Sequence, residues 1–276
     1  MITKRIKLHT KVKHLTSTPP FPKTAKIEIT SRCNLNCEWC ASRTSGIKKG
    51  DMDEQFFYSL VERLKEQGVK EIGLFLLGEP FIISKLPAYI RHCKKIGIEY
   101  VFITTNGTLC TPDNLKDCFE AGLDSLKFSI YDESNLDIIK WTKEYDGKKP
   151  KIYAGTVGKN EELESLFSPY VDEFYCLPLY NCAGAFDSGV SNIGLLDDPA
   201  DPMPCWVLFN SMRVTWDGHL TMCCFDNDGS FKGANLNEVS LMEAWNDKSF
   251  VELRQAHLDG DASGSLCAKC LGVDDG

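Results

Sequence analysis

From residue 26 onward the chain alternates short apolar runs with longer segments whose apolar positions recur every three or four residues. "KIEIT" (26–30), "EIGLFLL" (71–77), "YVFITT" (100–105), "SLKFSI" (125–130), "KIYAGTV" (151–157) and "EFYCLPL" (173–179) are short and rich in β-branched or aromatic residues. Several are continuously apolar, as strands buried on both faces should be. Between them, "DEQFFYSLVERLKEQG" (53–68) opens on acids and closes on Gly68, both helix signals. "KLPAYIRHCKKIG" (85–97) and "TPDNLKDCFEAG" (111–122) also end in Gly, and "ESNLDIIKWTKEY" and "NEELESLFSPY" continue the rhythm. Strand and helix alternate about six times, which predicts parallel pairing through right-handed crossovers. Eight units close a barrel, so six predict an α/β fold built as an open, partial (βα)6 barrel.

The rhythm stops near residue 180. Residues 180–204 are rich in Gly, Asp and Pro and read as a linker. In "NSMRVTWDGHLTMCC", Asp217-Gly218 separates two strand-like runs and predicts a hairpin turn. One helix, "SLMEAWNDKSFVELRQAHLDG", follows, and then "CAKC". The expected organisation is a basic arm (1–25), a barrel (26–180), a linker (181–204) and a small hairpin-plus-helix domain (205–276).

Composition narrows the class. The 276 residues are 43% hydrophobic and 25% charged, as in ordinary globular proteins. No apolar run approaches the length of a membrane span, and the N-terminus lacks a signal core, so a cytoplasmic protein with no membrane partner is expected. A net charge of −8 argues against a nucleic-acid partner. Residues 1–26 nevertheless carry seven Lys/Arg and no acid, either as a solvated tail or as an arm for an acidic electron donor or anionic substrate. Neither a Walker loop nor a Gly-x-Gly-x2-Gly sequence is present. Thirteen cysteines in a reducing compartment point to metal ligands or redox groups rather than disulfides.

The stretch "SRCNLNCEWC" sets Cys33, Cys37 and Cys40 at spacings of four and three, directly after the first strand run. Asn34 and Asn36 favour a loop there. Three thiolates on a [4Fe–4S] cube leave one iron open, as catalytic metal sites keep a vacancy. The spacing also fits one face of a helix, or a zinc site borrowing a distant ligand, and it does not choose among these.

Cys-x3-Cys-x2-Cys after the first strand, with Trp39 before the third Cys, resembles the radical SAM superfamily. "LLGEP" (76–80) is similar to that family's Gly-Gly-Glu-Pro motif, with Leu77 in place of the first Gly. "ITTNGTL" (103–109) and "FSIYD" (128–132) resemble its third and fourth strand ends. The resemblance implies a [4Fe–4S] cluster on Cys33, Cys37 and Cys40 that binds S-adenosylmethionine (SAM). It implies SAM contacts from Trp39, Gly78, Glu79, Pro80, Thr105, Asn106 and Ser129, with Glu79 receiving the methionine ammonium. Thr105, Asn106 and Ser129 also read as turn residues bonding their own backbone.

Cys205, Gly218 and Cys223 give Cys-x12-Gly-x4-Cys, and Cys267-x2-Cys270 completes four candidate ligands. Spacing alone allows a zinc ribbon or an iron–sulfur cluster. The pattern and "LMEAWNDKSFVELR" (241–254) resemble the SPASM domain of many radical SAM enzymes, in its shortened "twitch" form, as in the butirosin-pathway aminocyclitol dehydrogenase. That resemblance implies an auxiliary [4Fe–4S] cluster on Cys205, Cys223, Cys267 and Cys270; Cys224 is left outside the set. Cys93 and Cys118 read as core residues, and Cys110 has no evident role.

The expected reaction is reductive cleavage of SAM to a 5′-deoxyadenosyl radical, hydrogen abstraction, and passage of a second electron to the auxiliary cluster. The result is oxidation of a small molecule, such as a sugar or aminocyclitol alcohol, or of a peptide, with a flavodoxin or ferredoxin as electron donor. Only about 25 residues precede the first strand, which favours a small substrate or a peptide held without a leader-gripping domain. The alternative is a redox-neutral peptide epimerase with Cys176 or Cys182 as hydrogen donor. Tyr131, Asp132, Tyr153 and Tyr180 are candidate pocket residues, and no general base is assigned.

Overall fold

A computed structural model describes residues 12–38, 40, 42, 48–179, 183, 203–226, 229, 231 and 233–271. Seven parallel strands form its sheet: β1 (Thr24–Ile27), β2 (Glu71–Gly73), β3 (Tyr100–Thr105), β4 (Ser125–Ser129), β5 (Lys151–Val157), β6 (Glu173–Leu177) and β7 (Ser211–Val214). Their order is β6-β5-β4-β3-β2-β1-β7, so β6 and β7 are edges and the barrel is unclosed. The predicted α/β partial barrel is therefore the architecture found, with one strand more than six βα units supply.

The crossovers are α1 (Glu54–Glu66), α2 (Leu86–Lys95), α3 (Pro112–Glu120), α4 (Leu136–Glu144) and α5 (Glu161–Phe167). Asp53 caps α1 by accepting from the Phe56 amide, and Phe57, Leu60, Val61 and Leu64 form its buried stripe at helical spacing. Thr111 and Asn114 form a reciprocal capping box at α3, with Pro112 in its first turn. Gly68, Gly97 and Gly122 follow α1, α2 and α3 with φ of 80°, 89° and 99°, which only glycine adopts without strain. Fully buried Ile27, Ile72, Val101, Leu126 and Ala154 carry the core across the sheet to these helices.

Three elements differ from expectation. Strand β2 ends at Gly73, where "EIGLFLL" predicted seven residues, because the chain leaves the sheet to build the turn around Gly78. Regular pairing in β1 runs from Thr24 to Ile27 rather than from 26 to 30, although the Glu28 amide still donates to the Val214 carbonyl. The C-terminal helix is two, α7 (Leu241–Trp245) and α8 (Lys248–Leu258), because Asp247 leaves the helix and caps α8 through the Ser249 amide.

The hairpin turn at Asp217-Gly218 is present, with Val214 bridged to Leu220 and the Thr221 amide donating to the Arg213 carbonyl. Its first arm is β7, preceded by α6 (Val207–Asn210), and it pairs along the whole of β1. Arg254 in α8 is fully buried and donates to the carbonyls of Leu208, Trp245 and Ser17, while the Trp245 indole donates to the Pro19 carbonyl. These bonds tie residues before β1 to the C-terminal helices. Helix α9 (Leu266–Leu271) carries Cys267 and Cys270. Among the described residues no helix is long and apolar enough to cross a membrane.

Candidate active site

Parallel sheets gather function at the C-terminal ends of their strands, and the site assembles where β1, β2 and β3 end. The chain leaving β1 forms an irregular loop through Cys33 and Cys37, and the described residues from 31 to 40 contain no helix. This removes the helix-face reading of the cysteine spacing. The segment leaving β2 lies directly against that loop. The Glu79 amide donates to the Arg32 carbonyl at 2.8 Å, and a Cβ on Gly78 would stand 2.1 Å from the Thr30 carbonyl oxygen. Only glycine permits this approach.

Glu79 is 2% exposed. Its Oε1 accepts from the Thr105 hydroxyl at 2.7 Å and the Phe81 amide at 3.1 Å, and its Oε2 from the Asn106 amide at 2.8 Å. Burial raises its pKa, and these three donors pull it back toward the ionised form. A carboxylate offers about four acceptor positions, so a cation can still be received. Thr105 and Asn106, expected as SAM contacts, are here engaged in positioning. The Asn106 amide side chain reaches Asn34 Oδ1 at 3.0 Å and Cys33 Sγ at 3.8 Å, while Asn135 donates to the Asn106 carbonyl. Pro80 is buried and opens a short 3-10 turn behind Glu79.

Cys33 is exposed, and Cys37 and Cys40 are partly buried. Burial raises the Cys37 thiol, and Cys40 and Cys33 raise it further, which places the three in one electrostatic group. Tyr131, after β4, is 44% exposed, yet its hydroxyl is pushed to about 12 by local desolvation and by the same three cysteines, and it shares a hydrogen bond with Ser129. Ser129 and Tyr131 thus stand on the rim of the cysteine loop. Asp132, named as a candidate pocket residue, is exposed and caps a 3-10 turn by accepting from the Ser134 amide. Trp39, Tyr180 and Cys182 lie outside the described residues.

The second set also gathers. Burial and then Cys205 and Cys270 push the Cys267 thiol to about 12. Cys223 is raised well above its ordinary value by burial, then by Cys224 and Cys267. Cys205, Cys223, Cys267 and Cys270 therefore form one electrostatic group of partly buried thiols, drawn from the segment before α6, the hairpin and α9. Cys93 and Cys118 are core residues, at 0% and 1% exposure, and Cys110 sits 3.9 Å from the Thr105 hydroxyl.

Sequence reasoning missed two residues. Cys224 acts electrostatically on Cys40 as well as on Cys205 and Cys223, so it lies between the two sets. The doubled "CC" was the available signal, but its direction depends on the hairpin. Glu28 is 3% exposed and accepts from the Leu77 amide at 3.3 Å and the Trp216 amide at 3.2 Å, joining the ends of β1, β2 and β7. Burial lifts its pKa to about 7.

The donor sets fit iron–sulfur chemistry. Among the described residues, no three Cys, His, Asp or Glu side chains meet tightly enough for one metal ion. A cube distributes its thiolates over several irons, so looser groups of three and four suit it. The Gly78 cradle and Glu79 carboxylate beside the three-thiol loop suit the amino-acid end of SAM.

The Radical SAM superfamily model matches residues 27–151, and the SPASM model, an iron-sulfur cluster-binding domain, matches residues 205–271. The chain is similar to the tungsten-containing aldehyde ferredoxin oxidoreductase cofactor-modifying protein of Pyrococcus furiosus. The two are 37% identical over 105 residues, 38% of this chain and 29% of that protein. The chain spans between 29% and 39% of the length of the first curated relatives it matches. BtrN, solved in complex with AdoMet and 2-DOIA, shares the fold with a TM-score of 0.64 at 20% identity, over 88% of this chain and 89% of that one. Streptococcus suis SuiB bound to precursor peptide SuiA gives a TM-score of 0.69 at 15% identity, over 90% of this chain and 68% of that one.

Proposed function

The chain belongs to the radical SAM superfamily and carries a SPASM domain, and on that footing we propose that it oxidises a small molecule or a peptide by two electrons. When bound, SAM and the first cluster supply a hydrogen-abstracting 5′-deoxyadenosyl radical, and the second cluster supplies an acceptor for the substrate's remaining electron. Cys33, Cys37 and Cys40 hold the first cluster, and Cys205, Cys223, Cys267 and Cys270 the second. Glu79 receives the SAM ammonium, held in place by Thr105 and Asn106. Gly78, Pro80, Ser129 and Trp39 complete the SAM site. A flavodoxin or ferredoxin delivers the initiating electron. The proposed units are the barrel (26–180), the linker (181–204) and the C-terminal domain (205–276), whose β7 joins the barrel sheet beside β1.

The observation that carries the reading is the convergence of three strand ends. The three-thiol loop, Gly78-Glu79 and Asn106 lie within hydrogen-bonding reach of one another. A second thiol group favours oxidation over epimerisation, because a cluster held there would offer somewhere for an electron to go. Cys176 supports no epimerase reading. It alternates with Tyr175 along β6 and so faces away from the barrel interior, 3.5 Å from the Thr156 hydroxyl. Similarity to BtrN and to peptide-bound SuiB keeps both sugar or aminocyclitol alcohols and peptides as substrate classes.

The test uses anaerobically purified protein with SAM and a chemical reductant. The expected outcome is 5′-deoxyadenosine, with a substrate two hydrogens lighter when alcohols and peptides are screened. A product of unchanged mass with an inverted centre would replace oxidation by epimerisation.

A further inference from the structure

Glu28 is buried at the end of β1 and has no role in the chemistry described so far. Its backbone amide donates to the Val214 carbonyl at 2.8 Å, which carries the contact between β1 and β7 one residue past the regular strand. Its side chain then reaches two ways. Oε1 accepts from the Leu77 amide at 3.3 Å, one residue before the Gly78 turn. Oε2 accepts from the Trp216 amide at 3.2 Å, in the hairpin turn that follows β7. One carboxyl group thus fixes the segment that presents Glu79 relative to the hairpin.

Trp216 extends the link to the cysteine loop. A Cβ on Gly50 would stand 2.3 Å from the Trp216 ring, so the indole rests on the Gly50 backbone and only glycine leaves room for it. Gly50 lies at the neck of that loop. The Ser31 amide donates to the Gly50 carbonyl at 2.9 Å, and the Gly50 amide donates back to Ser31 Oγ at 2.9 Å. Thr30 and Arg32 both donate to the Asp51 carboxylate beside it. The Trp216 Nε1 is buried with no partner among the described residues, so ring packing and the amide bond to Glu28 set its place. The hairpin turn is itself pinned. The Gly218 amide donates to the Thr215 carbonyl, the Thr215 hydroxyl donates to Asp217, and a Cβ on Gly218 would meet the Asn237 side chain at 2.4 Å.

We propose that Glu28 and Trp216 are positioning residues of the SAM site. Trp216 sets the neck of the cysteine loop, Glu28 sets the Gly78 turn against it, and the hairpin is the common reference for both. The inference deepens the proposed function and rests on reading the three-thiol loop and Gly78-Glu79 as the place where SAM binds. A ligand held jointly by the loop and by Glu79 is sensitive to any displacement of one against the other. No thiol of the second group takes part in these contacts, so the brace acts whether or not a cluster sits there.

Equilibrium dialysis of radiolabelled SAM against the anaerobically reconstituted full chain tests this, with iron content and melting temperature measured on the same samples. Gly50→Ala drives a methyl group into the Trp216 ring and weakens SAM binding about tenfold. Trp216→Leu alone also weakens it, by leaving the neck unsupported. The double variant Gly50→Ala/Trp216→Leu, whose smaller side chain admits the methyl, binds SAM more tightly than Gly50→Ala. Glu28→Leu strips the acceptor from both amides and weakens SAM binding about tenfold, whereas Glu28→Gln keeps an acceptor for one amide and loses less. Iron content stays at the wild-type level throughout. Unmoved SAM affinity in Trp216→Leu or in Glu28→Leu overturns the proposal. A double variant that regains melting temperature but not SAM affinity overturns it too, since the contact is then structural alone. If Gly50→Ala fails to load iron, the affinities of Trp216→Leu and Glu28→Leu decide. Failure of the wild type itself to bind SAM overturns the reading of the site, and the brace with it.

Discussion

The two thiol groups differ in exposure and in what supports them. Cys33, Cys37 and Cys40 sit on an irregular loop with Cys33 exposed, supported from one side by Glu79 and Asn106. Cys205, Cys223, Cys267 and Cys270 are gathered by a hairpin and a helix, and burial dominates the shifts of Cys205, Cys223 and Cys267. A group that must admit a second molecule is left open and is positioned by hydrogen bonds. A group that only has to hold its cluster leaves none of its four thiols exposed. The first should therefore fail by losing chemistry, and the second by losing structure.

The sharpest test of that contrast is the Cys33/Cys37/Cys40→Ala triple variant. Iron should fall from about eight to about four per chain and SAM cleavage should vanish, with the circular dichroism spectrum unchanged. Cys223→Ala/Cys267→Ala should also lose about four irons, but with a lowered melting temperature and SAM cleavage intact. Next comes Glu79→Gln. Removing a charge-assisted partner of the SAM ammonium should weaken SAM binding by about ten- to a hundred-fold in a titration, without altering iron content.

On the closed side, Arg254→Met leaves the carbonyls of Leu208, Trp245 and Ser17 without their donor. Denaturant unfolding should show a loss of about 3 kcal/mol with SAM affinity preserved. Glu28 gives a pH test. Its carboxyl keeps its proton when folded, so the folded state binds more protons than the unfolded one between about pH 4.5 and about 7. Its contribution to stability is present below that window and lost as pH rises through it, by at most about 3 kcal/mol. The stability difference between wild type and Glu28→Gln, measured from pH 5 to 8, should follow that sign. Thr111→Ala, which removes a cap far from either thiol group, should cost about 1 kcal/mol and shift neither cluster.

Periodicity located β3 and β5 at their observed ends, because each is a continuous apolar run flanked by turn residues. It overran β2, since Leu74 to Leu77 remain apolar after the backbone has turned toward Gly78. It also read Leu241–Leu258 as one helix, where Asp247 gains more as a cap than as a helical residue. The thiol spacing and "GEP" made the SAM side legible. What stayed hidden was non-local: the electrostatic reach of Cys224 to both thiol groups, and β7 beside β1. Each depends on which strands become neighbours, and no local pattern encodes that.

The pairing of β1 with β7 bears on how the molecule is made. The strand leading into the cysteine loop is synthesised before its partner, and among the described residues its outer edge is covered by residues 211–214 alone, far along the chain. Until then the nascent barrel presents an uncapped row of amides and carbonyls, available to any other strand. Long-range parallel pairing of this kind is slow to form. The strand that carries the open thiol loop is thus completed on its outer side only by the region that builds the second thiol group.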